Sequence, residues 1–250
     1  METESQDGAP LRILMAVPQY PYPVVGGLEK QAHELSSELV RQGHHLQVLS
    51  GRIDPGQPDL EVLDGVVVHR LPWPRTRQLR WIMMPLLVWR LFARLRKDTD
   101  VVHCHVFSGF GLYLILLANC ARVPIMVKLP NVGLAGLPGM TRGLVGRIKG
   151  AIFRRADAVV AMSQQSLEEL EQIGFDMKRV LATPNGIRIL PAGMPRRPSD
   201  ACFRMVFVGR LHIEKGLQDL VGALRLVEEQ RPARKWTLDV IGDGDQMHSL

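Results

Sequence analysis

The chain has 250 residues and a mass of 28.0 kDa, and its 46% hydrophobic and 22% charged residues are typical of a globular protein and argue against a disordered one. Its net charge is +6, and its three cysteines form no Cys-x-x-Cys pair, which argues against a disulfide scaffold or a cysteine-rich zinc site and favours a reducing, cytoplasmic compartment. No apolar stretch reaches the ~20 residues of a membrane-spanning helix, and residues 1–10 lack the pattern of a secretory signal.

Short apolar runs alternate with amphipathic segments through the first part of the chain. Near-continuous Val, Ile and Leu runs separated by helices are typical of a parallel sheet covered on both faces. We therefore expect a doubly wound, Rossmann-like α/β domain over residues 1–185. Its expected strands are 11–18, 46–50, 66–70, 100–105, 124–129, 157–162 and 179–183, and its expected helices are 28–43, 108–118, 141–155 and 163–174.

Several residues indicate where helices begin. Ser108 is expected to cap the helix that follows the 100–105 strand, and Ser163 or Ser166 the helix that follows the 157–162 strand. Ser166 and Glu169 fit the spacing of a capping box. Pro85 suits the first position of a helix, because its missing N–H has no partner there.

The pattern changes after residue 184. Residues 184–198 hold four prolines and two glycines, so we expect a linker over residues 186–201. A second α/β unit then begins at residue 202, with a strand at 203–208, a helix at 214–230 and a strand at 235–241. These roughly 50 residues are fewer than a typical domain needs. We therefore interpret residues 202–250 as an incomplete domain and the chain as a piece of a longer protein.

The loop after the first strand is a candidate ligand site. Gly26 and Gly27 lie where the first helix begins, glycine lets the backbone approach a ligand, and a helix start favours an anion. Ligands of open α/β sheets bind beyond the carboxyl ends of strands, where this loop lies. A turn that needs positive φ would explain the same glycines without a ligand. The spacing is not G-x-G-x-x-G, which weakens a nicotinamide-binding interpretation.

A second candidate site follows the 203–208 strand. Gly209 allows close approach, Arg210 offers a planar fork of donors and Lys215 a point charge, and both cations suit a diphosphate. Glu214 stands next to Lys215, so an ordinary surface ion pair is the alternative.

Six segments in order resemble the landmarks of the family 4 glycosyltransferases, a retaining group with two facing Rossmann-like domains, the GT-B fold. The resemblance runs from about residue 11 to the end of the chain. The segments are Gly26–Glu29, Asp100–His105, Ala158–Ser163, Pro184–Ile187, Gly209–Gly216 and Gly242–Gly244.

The resemblance implies transfer of a sugar, with retention, from a UDP- or GDP-sugar to a glycan, lipid-linked or polysaccharide-precursor acceptor. It implies that Arg210 and Lys215, with Gly209, hold the donor diphosphate without a metal ion or other cofactor, and that Gly26 and Gly27 line the cleft between the domains. It also implies a cytoplasmic protein, in solution or peripheral to the membrane. Possible donor or acceptor contacts are Lys128, Asn131, Asn185, Gly242, Asp243 and Gly244.

The sequence departs from the family in two places. Pro130 stands where many members carry a histidine near the donor sugar, with Lys128 and Asn131 as polar residues nearby. The acidic segment that would contact the donor sugar and ribose lies beyond Leu250. An inactive acceptor-binding or membrane-binding module is therefore the alternative function. A sugar-nucleotide epimerase is disfavoured by the segment 209–216.

His103 and His105 are the remaining candidates for chemistry. We interpret them as alternating along the strand and pointing to opposite faces, which argues against a shared metal ion. His105 lies nearer the strand's carboxyl end, and we assign the catalytic role to it. A hydrogen-bonded histidine at a strand end is the alternative.

The segment 70–97 is strongly basic and contains no acidic residue. Trp81 and Trp89 suit the lipid headgroup zone, so residues 75–97 are a candidate surface for docking on an anionic membrane. A core-packed helix with a solvated basic edge is the alternative. Nucleic acid is not expected as a partner, because no binding motif is present. The basic residues are Arg70, Arg75, Arg77, Arg80, Arg90, Arg94, Arg96 and Lys97, of which Arg90, Arg94 and Lys97 form one helical stripe.

Overall fold

The computed structural model describes residues 8–21, 26–74, 76–105, 109–130, 132–133, 136–187, 202–231 and 235–247. The chain divides into two compact units, Met1–Arg188 and Ile189–Leu250. Most of the segment expected to be a linker, residues 188–201, lies outside the described residues.

The first unit is built on an eight-stranded sheet in the order β3-β4-β2-β1-β5-β6-β7-β8. All neighbouring strands run parallel except β3 and β4, which form an antiparallel hairpin. The strands are β1 (Arg12–Ala16), β2 (His45–Arg52), β3 (Leu60–Leu63), β4 (Val66–Pro72), β5 (Val101–Cys104), β6 (Ile125–Lys128), β7 (Ala158–Ala161) and β8 (Val180–Ala182).

Helices cover both faces of this sheet, which gives two hydrophobic cores. On one face, α1 buries Ala32 against Met15 and Val48. On the other face, five helices pack against residues such as Leu14 and Val127. The helices are α1 (Gly27–Arg41), α2 (Arg77–Leu95), α3 (Phe110–Ala121), α4 (Leu137–Met140), α5 (Gly143–Phe153) and α6 (Gln164–Gln172).

The described part of the second unit is one βαβ motif. Strands β9 (Phe203–Val208) and β10 (Trp236–Ile241) pair in parallel, and helix α7 (Leu217–Gln230) connects them. Helix α7 buries Leu217 and Leu224.

Two expectations about helix starts are wrong. Helix α2 begins at Arg77, after the N-cap Thr76, so Pro85 lies inside the helix. A proline there removes one backbone hydrogen bond, but Met84 and Val88 on the same helix are buried in the core, and this packing extends across the proline. Helix α3 is capped by Gly109. The expected cap, Ser108, lies outside the described residues.

The capping box of α6 is formed by Ser163 and Ser166. The Ser166 N–H donates to Ser163 Oγ at 3.2 Å, and the Ser163 N–H donates to Ser166 Oγ at 2.9 Å. The expected box of Ser166 and Glu169 is therefore wrong, because Glu169 instead accepts the backbone N–H of Gly133 at 2.6 Å.

Strand β3 was not expected from the apolar pattern. It pairs with β4 through the two-residue turn Asp64–Gly65, in which both residues have positive φ, 49° and 80°. Asp-Gly is a strong signal for this type of hairpin turn. The turn places Glu61 in an ion pair with the buried guanidinium of Arg70.

Asp100, the first residue of the 100–105 segment, fixes the amino end of β5 against β1. Its carboxylate accepts the backbone N–H of Arg12 at 2.8 Å and lies 2.7 Å from Arg12 Nη2. These hydrogen bonds from Arg12 lower the pKa of Asp100 to about 2. Asp100 therefore has a structural role in this motif.

Replacing Asp100 with asparagine is expected to reduce the resistance of the protein to urea at about pH 7. Because folding depresses the pKa of Asp100 from 3.8 to about 2, its stabilising contribution is complete above about pH 4 and is lost as the pH falls towards 2. The difference between wild type and Asp100→Asn should therefore narrow over that range, as measured by circular dichroism in urea.

Asp98→Asn is the matched control. Asp98 lies 3.4 Å from the same arginine but is 70% exposed, so its loss should change the unfolding midpoint much less. Equal effects of the two substitutions would contradict the structural role of Asp100.

Candidate functional site

The first candidate site lies at the carboxyl edge of the sheet in the first unit. Ala16 of β1 pairs with Cys104 of β5, and Cys104 pairs with Val127 of β6. Because the strands are parallel and in this register, His105 and Lys128 follow at the same edge. Helix α1 also begins at this edge, after the loop that leaves β1.

Gly26 and Gly27 start helix α1 without positive φ. Gly26 is the N-cap with φ −97°, and neither glycine is among the residues with positive φ. The interpretation of these glycines as a turn requiring positive φ is therefore wrong. A Cβ on Gly26 would overlap the carboxylate of Glu29, whereas a Cβ on Gly27 would have no atom within 4 Å. The helix start is thus open at Gly27 and carries a carboxylate over its first turn, where the helix dipole favours negative charge.

His103 and His105 point to the same face of the sheet, so the expectation of opposite faces is wrong. Side chains along a strand repeat with a period of two, which places residues two apart on one face. The two ring centroids lie 4.3 Å apart. Both rings are buried.

Burial and neighbouring cations keep these histidines neutral. Burial and then Lys128 lower the pKa of His103 to about 4. Burial, His103 and Lys128 lower the pKa of His105 to about 2, and burial lowers the pKa of Lys128 to about 8. A neutral imidazole has one donor and one acceptor nitrogen, and neither nitrogen of His105 has a hydrogen-bond partner within the described residues.

Glu169 is a buried carboxylate near the same edge, and the sequence analysis missed this role. One of its oxygens accepts the N–H of Gly133, just after β6, and the other has no hydrogen-bond partner among the described residues. A Cβ on Gly136 would lie 2.8 Å from that second oxygen, so the loop approaches Glu169 closely. Its position in a capping-box pattern hid this long-range contact.

The remaining polar candidates of the first unit are Asn131 and Asn185. Asn131 lies outside the described residues, and Asn185 is exposed in the segment after β8. Pro130 is half-buried two residues after the end of β6.

The second candidate site is the loop between β9 and α7. After Gly209, the loop makes one 3-10 turn, Ile213–Lys215, and Gly216 starts α7 with φ +68°. Arg210 and Lys215 are exposed, and neither forms an ion pair with a residue that the structure describes.

Glu214 pairs with His212, at 3.7 Å between Oε2 and Nδ1, and not with Lys215. The alternative of a Glu214–Lys215 surface pair is therefore wrong. Two cations beside a helix start remain available to an anion.

The loop after β10 packs directly against the loop after β9. The Leu211 N–H donates to the Asp243 carbonyl at 2.9 Å. A Cβ on Gly242 would overlap the Gly209 carbonyl oxygen, and a Cβ on Gly244 would overlap the Leu211 carbonyl oxygen. Gly242 and Gly244 are thus needed for backbone-to-backbone contact, and this contact holds the loop that carries Arg210.

Two features are absent from the described residues. No group of three or more His, Cys, Asp or Glu side chains there is placed to hold a metal ion. Within the same residues, no helix combines the length and apolar character needed to cross a membrane.

A family model described as a glycosyl transferase 4-like domain matches residues 26–186. The chain is 28% identical over 267 residues to a glycogen synthase of Mycobacterium tuberculosis, covering 96% of this chain and 63% of that protein. It is 25% identical over 243 residues to a D-inositol 3-phosphate glycosyltransferase of Pseudarthrobacter chlorophenolicus, covering 87% of this chain and 57% of that protein. The chain thus spans about 60% of the length of these curated relatives.

Solved structures show the same fold. Trehalose-6-phosphate synthase OtsA matches with a TM-score of 0.66 and 14% identity, covering 94% of this chain and 66% of that one. HepE of Anabaena, solved with UDP and glucose, matches with a TM-score of 0.63 and 17% identity, covering 94% of this chain and 61% of that one. Together with the parallel sheet, these matches confirm the expected α/β, GT-B-like fold class.

Gly242→Ala tests the contact between the two loops of the second unit. The added methyl group would overlap the Gly209 carbonyl, so we expect the substitution to lower thermal stability by about 1–3 kcal/mol, as overpacking does. Gly222→Ala is the matched control, because no atom lies within 4 Å of its added Cβ and alanine favours a helix interior. Differential scanning calorimetry that ranked the two variants equally would contradict this account.

Proposed function

The chain belongs to the glycosyl transferase 4-like domain family, and we propose that the whole protein transfers a sugar from a nucleotide-sugar donor to an acceptor hydroxyl with retention. The observation that carries the proposal is the pair of exposed cations, Arg210 and Lys215, beside the start of α7. Their loop is held by the glycine contacts with the segment after β10.

These two cations would serve the leaving group. In the reaction the bond between the anomeric carbon and the diphosphate oxygen breaks, and the anomeric carbon bonds to the acceptor oxygen. The acceptor proton passes to the departing diphosphate or to solvent. Arg210 and Lys215 would stabilise the negative charge that develops on the diphosphate. In this proposal their charge takes the place of a metal ion, and no cofactor takes part.

The first unit offers groups of its own for binding the donor or the acceptor. The open helix start at Gly27 leaves room for part of the donor or the acceptor beside the carboxylate of Glu29. His105, neutral and unpartnered among the described residues, would offer a hydrogen bond to a sugar hydroxyl. Lys128 lies on the neighbouring strand at the same edge, two positions before Pro130, which stands where many family members carry a histidine. We propose that Lys128 contacts the donor or the acceptor.

The relatives favour certain substrate classes. A solved neighbour contains UDP with glucose, and curated relatives are named for glycogen and for an inositol phosphate. We therefore propose a UDP- or GDP-sugar as donor and a glycan, lipid-linked or phosphorylated polyol acceptor. We also propose that Asn131, Asn185 and Asp243 contact the donor or the acceptor.

Arg210→Ala in the full-length protein tests the leaving-group role. We expect kcat to fall by about 10²–10³-fold, as when one preorganised donor to a developing charge is removed. Initial rates of nucleoside diphosphate release would measure this effect. Arg225→Ala removes the same charge from the exposed side of α7 and should leave kcat unchanged. Wild-type kcat/KM in Arg210→Ala would exclude Arg210 from the diphosphate site.

Retention predicts the stereochemistry of the first product formed. With an α-linked nucleotide-sugar donor, proton NMR of the early reaction should show an α-linked product. A β-linked product under the same conditions would refute retention and leave the Arg210 assignment untouched.

A further inference from the structure

Helix α2 is apolar on two separate faces. Its inner face buries Met84, Val88 and Phe92 in the core of the first unit. At 100° per residue, positions 82, 86 and 89 form a second stripe about 130° around the helix from the inner face. Ile82, Leu86 and Trp89 on that stripe are 74%, 54% and 52% exposed. A surface helix normally carries polar residues on this side, so the stripe needs another explanation.

Helix α5 repeats the same arrangement. Gly146, Gly150 and Phe153 face the core, whereas Leu144 and Ile148 lie on the opposite side and are 76% and 56% exposed. Val145 borders them and is also exposed.

The two stripes belong to one surface of the first unit. Helices α2 and α5 both pack against α3, on the same face of the sheet. Helix α3 is apolar all round, and Leu112, Tyr113 and Leu116 are partly exposed on it. We call this the α2–α5 surface and define it by Ile82, Leu86, Trp89, Leu144, Val145 and Ile148.

The charged residues on the helices that form the α2–α5 surface are all positive. Residues 65–97 contain no acidic residue, and neither do residues 101–156. Arg90 and Arg94 on α2 are exposed, as are Arg142 and Arg147 at and within α5. An apolar surface on helices whose charged residues are all positive is complementary to a layer that is apolar inside and anionic at its boundary.

We propose that the α2–α5 surface docks on an anionic lipid bilayer, with both helices lying in the plane of the headgroups. The outward Leu, Ile and Trp side chains would enter the boundary of the acyl chains, and the arginines would contact lipid phosphates. The proposal extends the docking segment expected at residues 75–97 to a second helix. The proposal is independent of the proposed sugar transfer, because its tests measure only membrane binding.

A second copy of the chain is a poorer occupant of this surface. In a two-fold symmetric contact the same patch meets itself, which would bring Arg90 and Arg147 of one copy close to those of the other. Like charges brought together in this way oppose association. A bilayer offers the opposite charge.

The test is co-sedimentation of the full chain with vesicles. We expect binding to vesicles of phosphatidylcholine with about one third phosphatidylserine, and a decrease as NaCl rises from about 0.1 to 0.5 M. Binding to pure phosphatidylcholine vesicles should be weaker by roughly tenfold or more, given about tenfold per one to two basic contacts. Equal binding to both kinds of vesicle at about 0.1 M NaCl, or binding to the anionic vesicles that does not change with salt, would overturn the electrostatic part of the proposal.

A pair of double variants distinguishes binding through the α2–α5 surface from non-specific binding through any exposed apolar residues. Ile82→Gln with Ile148→Gln should reduce partitioning onto anionic vesicles at least about tenfold, because both side chains lose apolar burial. Leu60→Gln with Val62→Gln changes two equally exposed apolar residues on β3 and should leave partitioning unchanged. Unchanged binding of the Ile82/Ile148 variant would overturn the proposal.

Sedimentation without vesicles decides between lipid and a second copy. Without vesicles, the wild-type chain and the Ile82→Gln/Ile148→Gln variant should have the same sedimentation coefficient. If the wild-type chain were a dimer and the variant a monomer, the proposal would be overturned in favour of self-association.

Discussion

The pairing of β5 between β1 and β6 is the constraint on which the candidate site of the first unit depends. Its register with β1 is fixed at the amino edge, where the carboxylate of Asp100 accepts the N–H of Arg12 at 2.8 Å. At the same edge the carboxylate of Asp157, just before β7, accepts the N–H of Ile125 at 2.8 Å and so holds β7 to β6. Because parallel strands end together, the same register brings His105 and Lys128 to the opposite edge, beside the start of α1. The acids at one edge thus determine where the basic groups stand at the other.

The alternation of strands and helices could be predicted from the sequence because buried parallel strands are almost uniformly apolar. The family could be predicted for the same region, since the glycine and histidine segments stand in a fixed order along it. The hairpin strand β3 was missed, although Asp64–Gly65 carried the signal, because Leu60–Leu63 is half exposed and only weakly apolar.

Local rules failed where long-range contacts decide. Glu169 fits a capping pattern, but its carboxylate serves a loop 36 residues away in sequence. Pro85 favours a helix start, but core packing carries α2 across it. The error over His103 and His105 was different, because the two-residue period of a strand already places them on one face. Their burial beside Lys128 was not predictable, since it depends on the pairing of β5 with β6.

The positive charge on the helices of the α2–α5 surface also affects how the chain behaves in concentrated solution. Repulsion between copies is what opposes contact of their exposed Leu and Ile side chains, and added salt shortens the range of that repulsion. Salts that strengthen apolar association act in the same direction. The chain is therefore expected to remain dispersed in buffer of low ionic strength and to aggregate as the ionic strength is raised. Many basic proteins show the opposite behaviour and need added salt to stay in solution.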